Sequence, residues 1–417
     1  MLVRQTSVVY SGPRILPPFR HINSHRPFIP CFFSLPTRGQ LNQHSSSTAR
    51  VSKRTRGRRT QLSSHTTFGT DGYSPTPAFI MGVDHLVPND PRVEHKFTKI
   101  NDKITYHYML AKPQGTPVAT VVLIHGWPDL GMGWRFQVPM LLSMGLQVIV
   151  PDMLGYGQTS APESHEEYTM KKMTSHIAQV IKDVTDQPII LGGHDWGGFF
   201  IWRMTMYYPE MIRAVFSLCV PYIPPMPAVE TLDDFAARQT NFGYQKQLAS
   251  GVAEKIIHET PDGISHFLNG MYGGRTPAGG VVFTPQEGVL KDNLPEIGQN
   301  PMVPKEMVDF YVQEYSRNGF HGPCNWYRVR ELNMQDELLL AADAMTTKFK
   351  QPAMIVMSGK DTVLLPEYAR GQERFFEREL KSELVEEAGH WVAFQCPEAA
   401  NKHIGDFVKS VLAESKL

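Results

Sequence analysis

At 417 residues the chain is long enough for one large α/β domain or two ordinary ones, either with a sizeable buried core. Hydrophobic residues at 41% and charged residues at 20% are globular proportions, which excludes a mainly disordered or fibrous chain. The formal net charge is zero, but eleven of the 41 Lys and Arg lie in Met1 to Thr70, which holds no Asp or Glu. The body beyond is therefore acidic by about eleven charges and offers no electrostatic footprint for nucleic acid.

The first 70 residues are rich in Arg and Ser and include the basic run Lys53-Arg54-Thr55-Arg56-Gly57-Arg58-Arg59. That is the composition of an organelle transit peptide. Its apolar patches, near Ile15 and from Phe28 to Leu35, are broken by proline, which argues against a secretory signal. The other reading is a basic extension with no address. Residues 1–75 are thus expected to be a disordered extension on a cytoplasmic protein, with mitochondrial import left open. Cys31, Cys219, Cys324 and Cys396 are too scattered for a disulfide framework or a zinc site. No stretch reaches the roughly 18 apolar residues of a membrane span.

Pro75 to Asp90 is a proline-rich approach to the body, and His95 to Ala111 reads as two short antiparallel edge strands around a turn at Asn101-Asp102. Val118 to Ile124 is a β-branched run closing on His125-Gly126-Trp127-Pro128, the pattern of a buried parallel strand. Gln147 to Val150 repeats it, and a helical stretch from about Met170 to Val184 leads to a third such strand at Pro188 to Leu191. A helix over Gly198 to Tyr208 and a strand over Ala214 to Val220 follow. From about Pro225 to Lys348 the strand signal gives way to helical pieces separated by Gly and Pro. Strands resume at Pro352 to Ser358 and Glu383 to Glu387, and Pro397 to Leu412 closes the chain as a helix. The expected fold is α/β, a mostly parallel sheet flanked by helices, with a core over 76–224 and 349–417 and a helical lid over 225–348.

Gly193-His194-Asp195-Trp196-Gly197-Gly198 places Asp195 between small residues at a strand-to-helix turn, the setting of a nucleophile elbow with Asp in the place of Ser. The alternative is an Asp that merely caps a helix. An ordinary Asp, with pKa near ~3.9, is ionised at neutral pH and attacks without a base. A histidine is then free to activate water in a second step. His390, in Ala388-Gly389-His390-Trp391 after the last strand, and Asp361, in Ser358-Gly359-Lys360-Asp361 after the strand before, complete the order nucleophile, acid, His of α/β-hydrolases. Asp361 would orient His390; its alternative is an ordinary turn residue. The backbone N–H groups of Trp127 and Trp196 are the expected oxyanion hole, in which one donor is worth about 3 to 4 kcal/mol of barrier.

The His-Gly-Trp-Pro loop, the Gly-His-Asp-Trp-Gly-Gly elbow and Gly389-His390-Trp391 together resemble the soluble epoxide hydrolase family of the α/β-hydrolase fold, over about Phe97 to Leu412. The resemblance implies two lid tyrosines, matching Tyr244 in Asn241-Phe242-Gly243-Tyr244-Gln245 and Tyr327 in Cys324-Asn325-Trp326-Tyr327. Two phenols suit the chemistry, because an opening epoxide develops an alkoxide that needs donors or a proton. It also implies a cis Trp127–Pro128 bond. The chain departs from the family at Gln245-Lys246-Gln247, where relatives are aromatic-rich, and at Trp127 and Asp129, where many have Phe and Glu. Trp127, Trp196, Gln245 and Trp391 are the expected substrate contacts.

The expected function is conversion of an epoxide to a vicinal diol through an ester on Asp195 hydrolysed by His390-activated water, with no cofactor and no metal. The expected partners are a small-molecule epoxide and water, with neither nucleic acid nor a membrane span. Two readings compete. A haloalkane dehalogenase shares the Asp nucleophile but releases halide, which needs no paired phenols, and carries Asn where this chain has Trp127. A non-catalytic receptor on the same fold has no reason to keep Asp195, Asp361, His390, Tyr244 and Tyr327 together.

Overall fold

The computed structural model describes residues 82–343 and 348–414. The basic extension expected over 1–75 lies outside the described residues. Strands β1 (Val93–Lys99) and β2 (Thr105–Ala111) pair antiparallel. Asn101 makes their turn, its side-chain oxygen accepting the N–H groups of Lys103 and Ile104. There follow β3 (Thr120–Ile124), α1 (Gln137–Ser143), β4 (Gln147–Pro151), α2 (Met170–Lys182), β5 (Ile189–His194), α3 (Trp196–Tyr207) and β6 (Ile212–Leu218). After a helical insert come β9 (Ala353–Ser358), β10 (Leu380–Val385), α11 (Val392–Gln395) and α12 (Pro397–Glu414).

The insert holds α4 (Leu232–Arg238), α5 (Tyr244–Ala249), α6 (Val252–Ile257), α7 (Gly263–Met271), two-residue strands β7 (Phe283–Thr284) and β8 (Gly288–Val289), α8 (Lys305–Asn318), α9 (His321–Arg328) and α10 (Arg330–Asp343). Among the described residues no helix is long and apolar enough to cross a membrane.

The main sheet runs β1-β2-β4-β3-β5-β6-β9-β10. From β4 to β10 every neighbouring pair is parallel. Residues of β3, β4 and β5 are buried throughout, as their unbroken apolar runs require. Each such Val, Leu or Ile contributes about 1.5–3 kcal/mol on burial. Three expectations are corrected. Of the two strands expected at the edge only β1 lies there, since β2 sits between β1 and β4, and its Tyr106 to Ala111 are buried accordingly. The last strand ends at Val385 rather than Glu387, because its register with β9 brings Val385 opposite Ser358 at the common end of both strands. The strand-free reading of 225–348 also yields to the β7–β8 hairpin, whose two-residue strands are too short to show a period.

The insert is fastened to the core at several points. Arg203 of α3 and Glu337 of α10 form an ion pair at 2.7 Å with both side chains almost fully buried. Asn333 Oδ1 accepts the first N–H of α2, from Met170, and the Trp326 indole donates to Leu154 O. Gly322 of α9 lies directly on Gly155 of the loop after β4. A Cβ on Gly322 would sit 2.6 Å from the Gly155 Cα, and one on Gly155 would sit 2.7 Å from the Gly322 carbonyl carbon.

Candidate active site

In an open parallel sheet, loops after the C-terminal strand ends meet on one side, and that is where sites form. Here the loops after β3, β5, β9 and β10 bring Trp127, Asp195, Asp361 and His390 to one place. Asp195 is the single residue between β5 and α3, at φ 52° and ψ −123°, a conformation that costs a non-glycine residue about 1–3 kcal/mol. Tight packing enforces it. A Cβ on Gly197 would lie 2.1 Å from Ile124 O, so only glycine lets the first turn of α3 approach β3 so closely.

The Asp195 side chain is 13% exposed. Its Oδ1 accepts the Trp127 N–H at 2.7 Å, and its Oδ2 lies 3.8 Å from His390 Nε2. The Trp127–Pro128 bond is cis. Burial raises the Asp195 pKa above the ordinary carboxylate value, while the His390 charge and the N–H groups of Trp127 and Trp196 pull it back. Its ionisation therefore depends on these partners and is not that of an ordinary exposed Asp.

His390 Nδ1 and Asp361 Oδ2 are 2.8 Å apart. Asp361 has a 1% exposed side chain, and its other oxygen accepts N–H groups from Val363 at 2.8 Å and Leu364 at 3.0 Å. Burial alone would raise its pKa, but the His390 charge, the hydrogen bond to it and those two N–H groups leave it below the usual value. On His390 burial acts downward. The charge of Asp361, the hydrogen bond to it and the charge of Asp195 outweigh burial and lift the imidazole to about 9. His390 is thus held as an imidazolium between Asp361 and Asp195.

From the insert, Tyr244 opens α5 and Tyr327 lies in α9, with ring centroids 5.9 Å apart. The Tyr327 ring stands edge-on to Trp196 at 5.3 Å and to Trp127 at 5.7 Å. Both phenols are raised above the usual tyrosine pKa, chiefly by burial and further by the charge of Asp195, so both are neutral donors. Gln245 is half-buried and follows Tyr244 in α5. Trp391 stacks on Phe394 and meets His390 edge-on, but its indole N–H donates to Met271 O, leaving that N–H no part at the reacting centre. Among the described residues no group of three or more His, Cys, Asp or Glu is placed to hold a metal ion.

The sequence shows His194 in the elbow string and Asp129 as a departure from relatives, but gives neither a partner. His194 Nε2 lies 2.8 Å from His390 O. Asp129 is buried under α8, taking a 2.5 Å hydrogen bond from the Tyr311 hydroxyl on Oδ1 while Tyr315 donates to its carbonyl. The signal for Asp129 was its place in the loop after β3, where a buried acid needs donors from elsewhere in the chain.

The chain matches the family model described as alpha/beta hydrolase fold over residues 119–256. It is 28% identical to the crystal structure of epoxide hydrolase A from Mycobacterium thermoresistibile, with a TM-score of 0.64, covering 76% of this chain and 98% of that one. Fold and site together thus define an α/β hydrolase with an aspartate at the elbow. Epoxide hydrolase srdG of Neurospora crassa is 47% identical over 342 residues, which cover 80% of this chain and all of that protein. The chain belongs to the epoxide hydrolase family. Bifunctional epoxide hydrolase 2 of Mus musculus is 30% identical over 319 residues, and the match spans 55% of that longer protein.

Proposed function

We propose that this epoxide hydrolase works through a covalent ester on Asp195. An Asp195 oxygen attacks an epoxide carbon, and the C–O bond breaks with its electron pair passing to the ring oxygen. Tyr244 and Tyr327 hold that oxygen and supply its proton. The phenol is reprotonated at the expense of the His390 imidazolium, so His390 emerges neutral and the proton count closes.

Esterification also removes the negative charge of Asp195, one of the three, with Asp361 and Asp129, that lift the His390 pKa. The first step thereby prepares the base for the second. Neutral His390, oriented by Asp361, takes a proton from water. The hydroxide attacks the Asp195 acyl carbon, and the tetrahedral oxyanion is held by the Trp127 and Trp196 N–H groups. Collapse breaks the bond to the diol oxygen, which takes the remaining proton of the attacking water, so the carboxylate is restored, His390 is again an imidazolium and the neutral vicinal diol is released.

The observation that carries this reading is Asp195 itself: a buried carboxylate at positive φ, with one oxygen on the Trp127 N–H and the other facing His390. The test is His390→Gln. Treated with styrene oxide, this variant is expected to gain the mass of one epoxide on Asp195, read by intact mass and peptide mapping. Sustained turnover by the variant would contradict the scheme. The paired phenols on one wall support epoxide over halide, whose departure needs no proton.

A further inference from the structure

The β7–β8 hairpin is stitched to α5 by three hydrogen bonds. The Tyr244 N–H donates to Pro285 O at 2.9 Å. The Gln247 side-chain amide donates to Val289 O at 2.9 Å, and its Oε1 accepts the Val289 N–H at 2.7 Å. The Gln247 amide therefore pairs with β8 as a neighbouring strand would, satisfying both main-chain groups of Val289. Since Tyr244 begins α5, the same stitches fix the hairpin against the phenol.

What the hairpin presents there is Phe283. Its ring is edge-on to Tyr244 at 5.2 Å and tilted against Trp127 at 6.0 Å, so it closes the wall between the phenol and the oxyanion loop. Phe283 is half-buried, leaving part of the ring open beside these two. The Trp127 ring is further backed by Phe267 and Tyr327. Such a wall takes an uncharged flat group edge-on or offset, the geometries aromatic pairs prefer.

We propose that Phe283 is a specificity-determining residue that receives an aryl substituent on the epoxide, and that Gln247 is the positioning residue that holds it there. The proposal rests on the catalytic reading above. The experiment compares kcat/KM for styrene oxide with that for 1,2-epoxybutane in the full chain and in Phe283→Leu and Gln247→Met.

The aryl-to-alkyl ratio is expected to fall about three- to tenfold in Phe283→Leu, the size of an aromatic pair contact. Gln247→Met should shift it the same way by less, with the change in KM rather than kcat. Gln247 has no place in the reaction, so its variant carries the test if Phe283→Leu does not fold. Ratios within about twofold of the parent in both variants overturn the proposal. A shift in Phe283→Leu alone keeps the wall and removes the clamp. If the parent chain opens neither epoxide, the catalytic reading itself falls, and this one with it.

Discussion

His194 Nε2 lies 2.8 Å from the backbone carbonyl of His390, so the residue before the proposed nucleophile holds the residue proposed as the base. Burial, with the neighbouring His390 charge, pushes the His194 pKa down to about 3. The ring is therefore neutral at working pH, and its one proton sits on Nε2 to donate to that carbonyl. Cys219 Sγ approaches the same oxygen at 3.6 Å and is the weaker partner. His194→Phe leaves the carbonyl without its main donor, a loss of about 1–3 kcal/mol. We expect ester hydrolysis to slow more than ester formation, and Gln, which keeps an N–H of similar reach, to restore part of the rate in single-turnover stopped flow. Equal slowing of both steps in the Phe and Gln variants would contradict this.

Asp361→Asn should separate the two steps. It removes the charge that most raises the His390 pKa and the acceptor that orients the ring. In a related serine triad the corresponding change costs about 10⁴ in rate. We expect ester to accumulate on Asp195, seen by intact mass, while its formation persists. A variant that forms no ester would show that Asp361 serves the first step.

Tyr244→Phe and Tyr327→Phe should each slow ester formation by about 10², the lower end for a positioned acid, and leave ester hydrolysis unchanged. The double variant should form no ester. A rapid burst of ester in the double variant would remove the phenols from the mechanism.

The pH dependence carries two signs. His390 is raised from 6.5 to about 9 in the folded protein, so its contribution to stability is complete below 6.5 and is lost as pH rises through about 9. Denaturant midpoints should fall over that interval in the parent chain and less in His390→Gln. Ester hydrolysis should behave differently, because esterified Asp195 no longer supports the imidazolium. Its single-turnover pH profile should rise and level off at lower pH than the titration of His390 in the resting protein, followed by ring NMR. Coincident midpoints would mean that the charge of Asp195 does not govern His390.

In one turnover in heavy-oxygen water, the new hydroxyl of the diol should be unlabelled, having come from Asp195, and label should enter the Asp195 carboxylate. Label in that first diol would make water the direct nucleophile.

Much of this site is legible in the sequence because its signals are local. Asp195 stands in a glycine-flanked string, and Asp361 and His390 each follow a strand in a fixed order, so pattern and position suffice. The contacts that hold these groups are non-local. His194 meets His390 O across 196 positions, and Gln247 meets Val289 across 42. The hairpin that Gln247 clamps has two-residue strands, too short for alternation to register. Gln247 reads in sequence only as a departure from aromatic relatives, because its value lies in two main-chain groups that no side-chain pattern encodes. The edge position of β1 alone was hidden for a similar reason: strand order is a property of the whole sheet.

The contact of Gly155 with Gly322 is one of backbone on backbone, with the Tyr168 side chain close against both. It fixes the height of the ceiling that carries Tyr327 over the floor that carries Asp195. A single methyl group at either position would act as a shim, lifting the phenol away from the epoxide oxygen it is proposed to hold while every proposed reacting group stays intact.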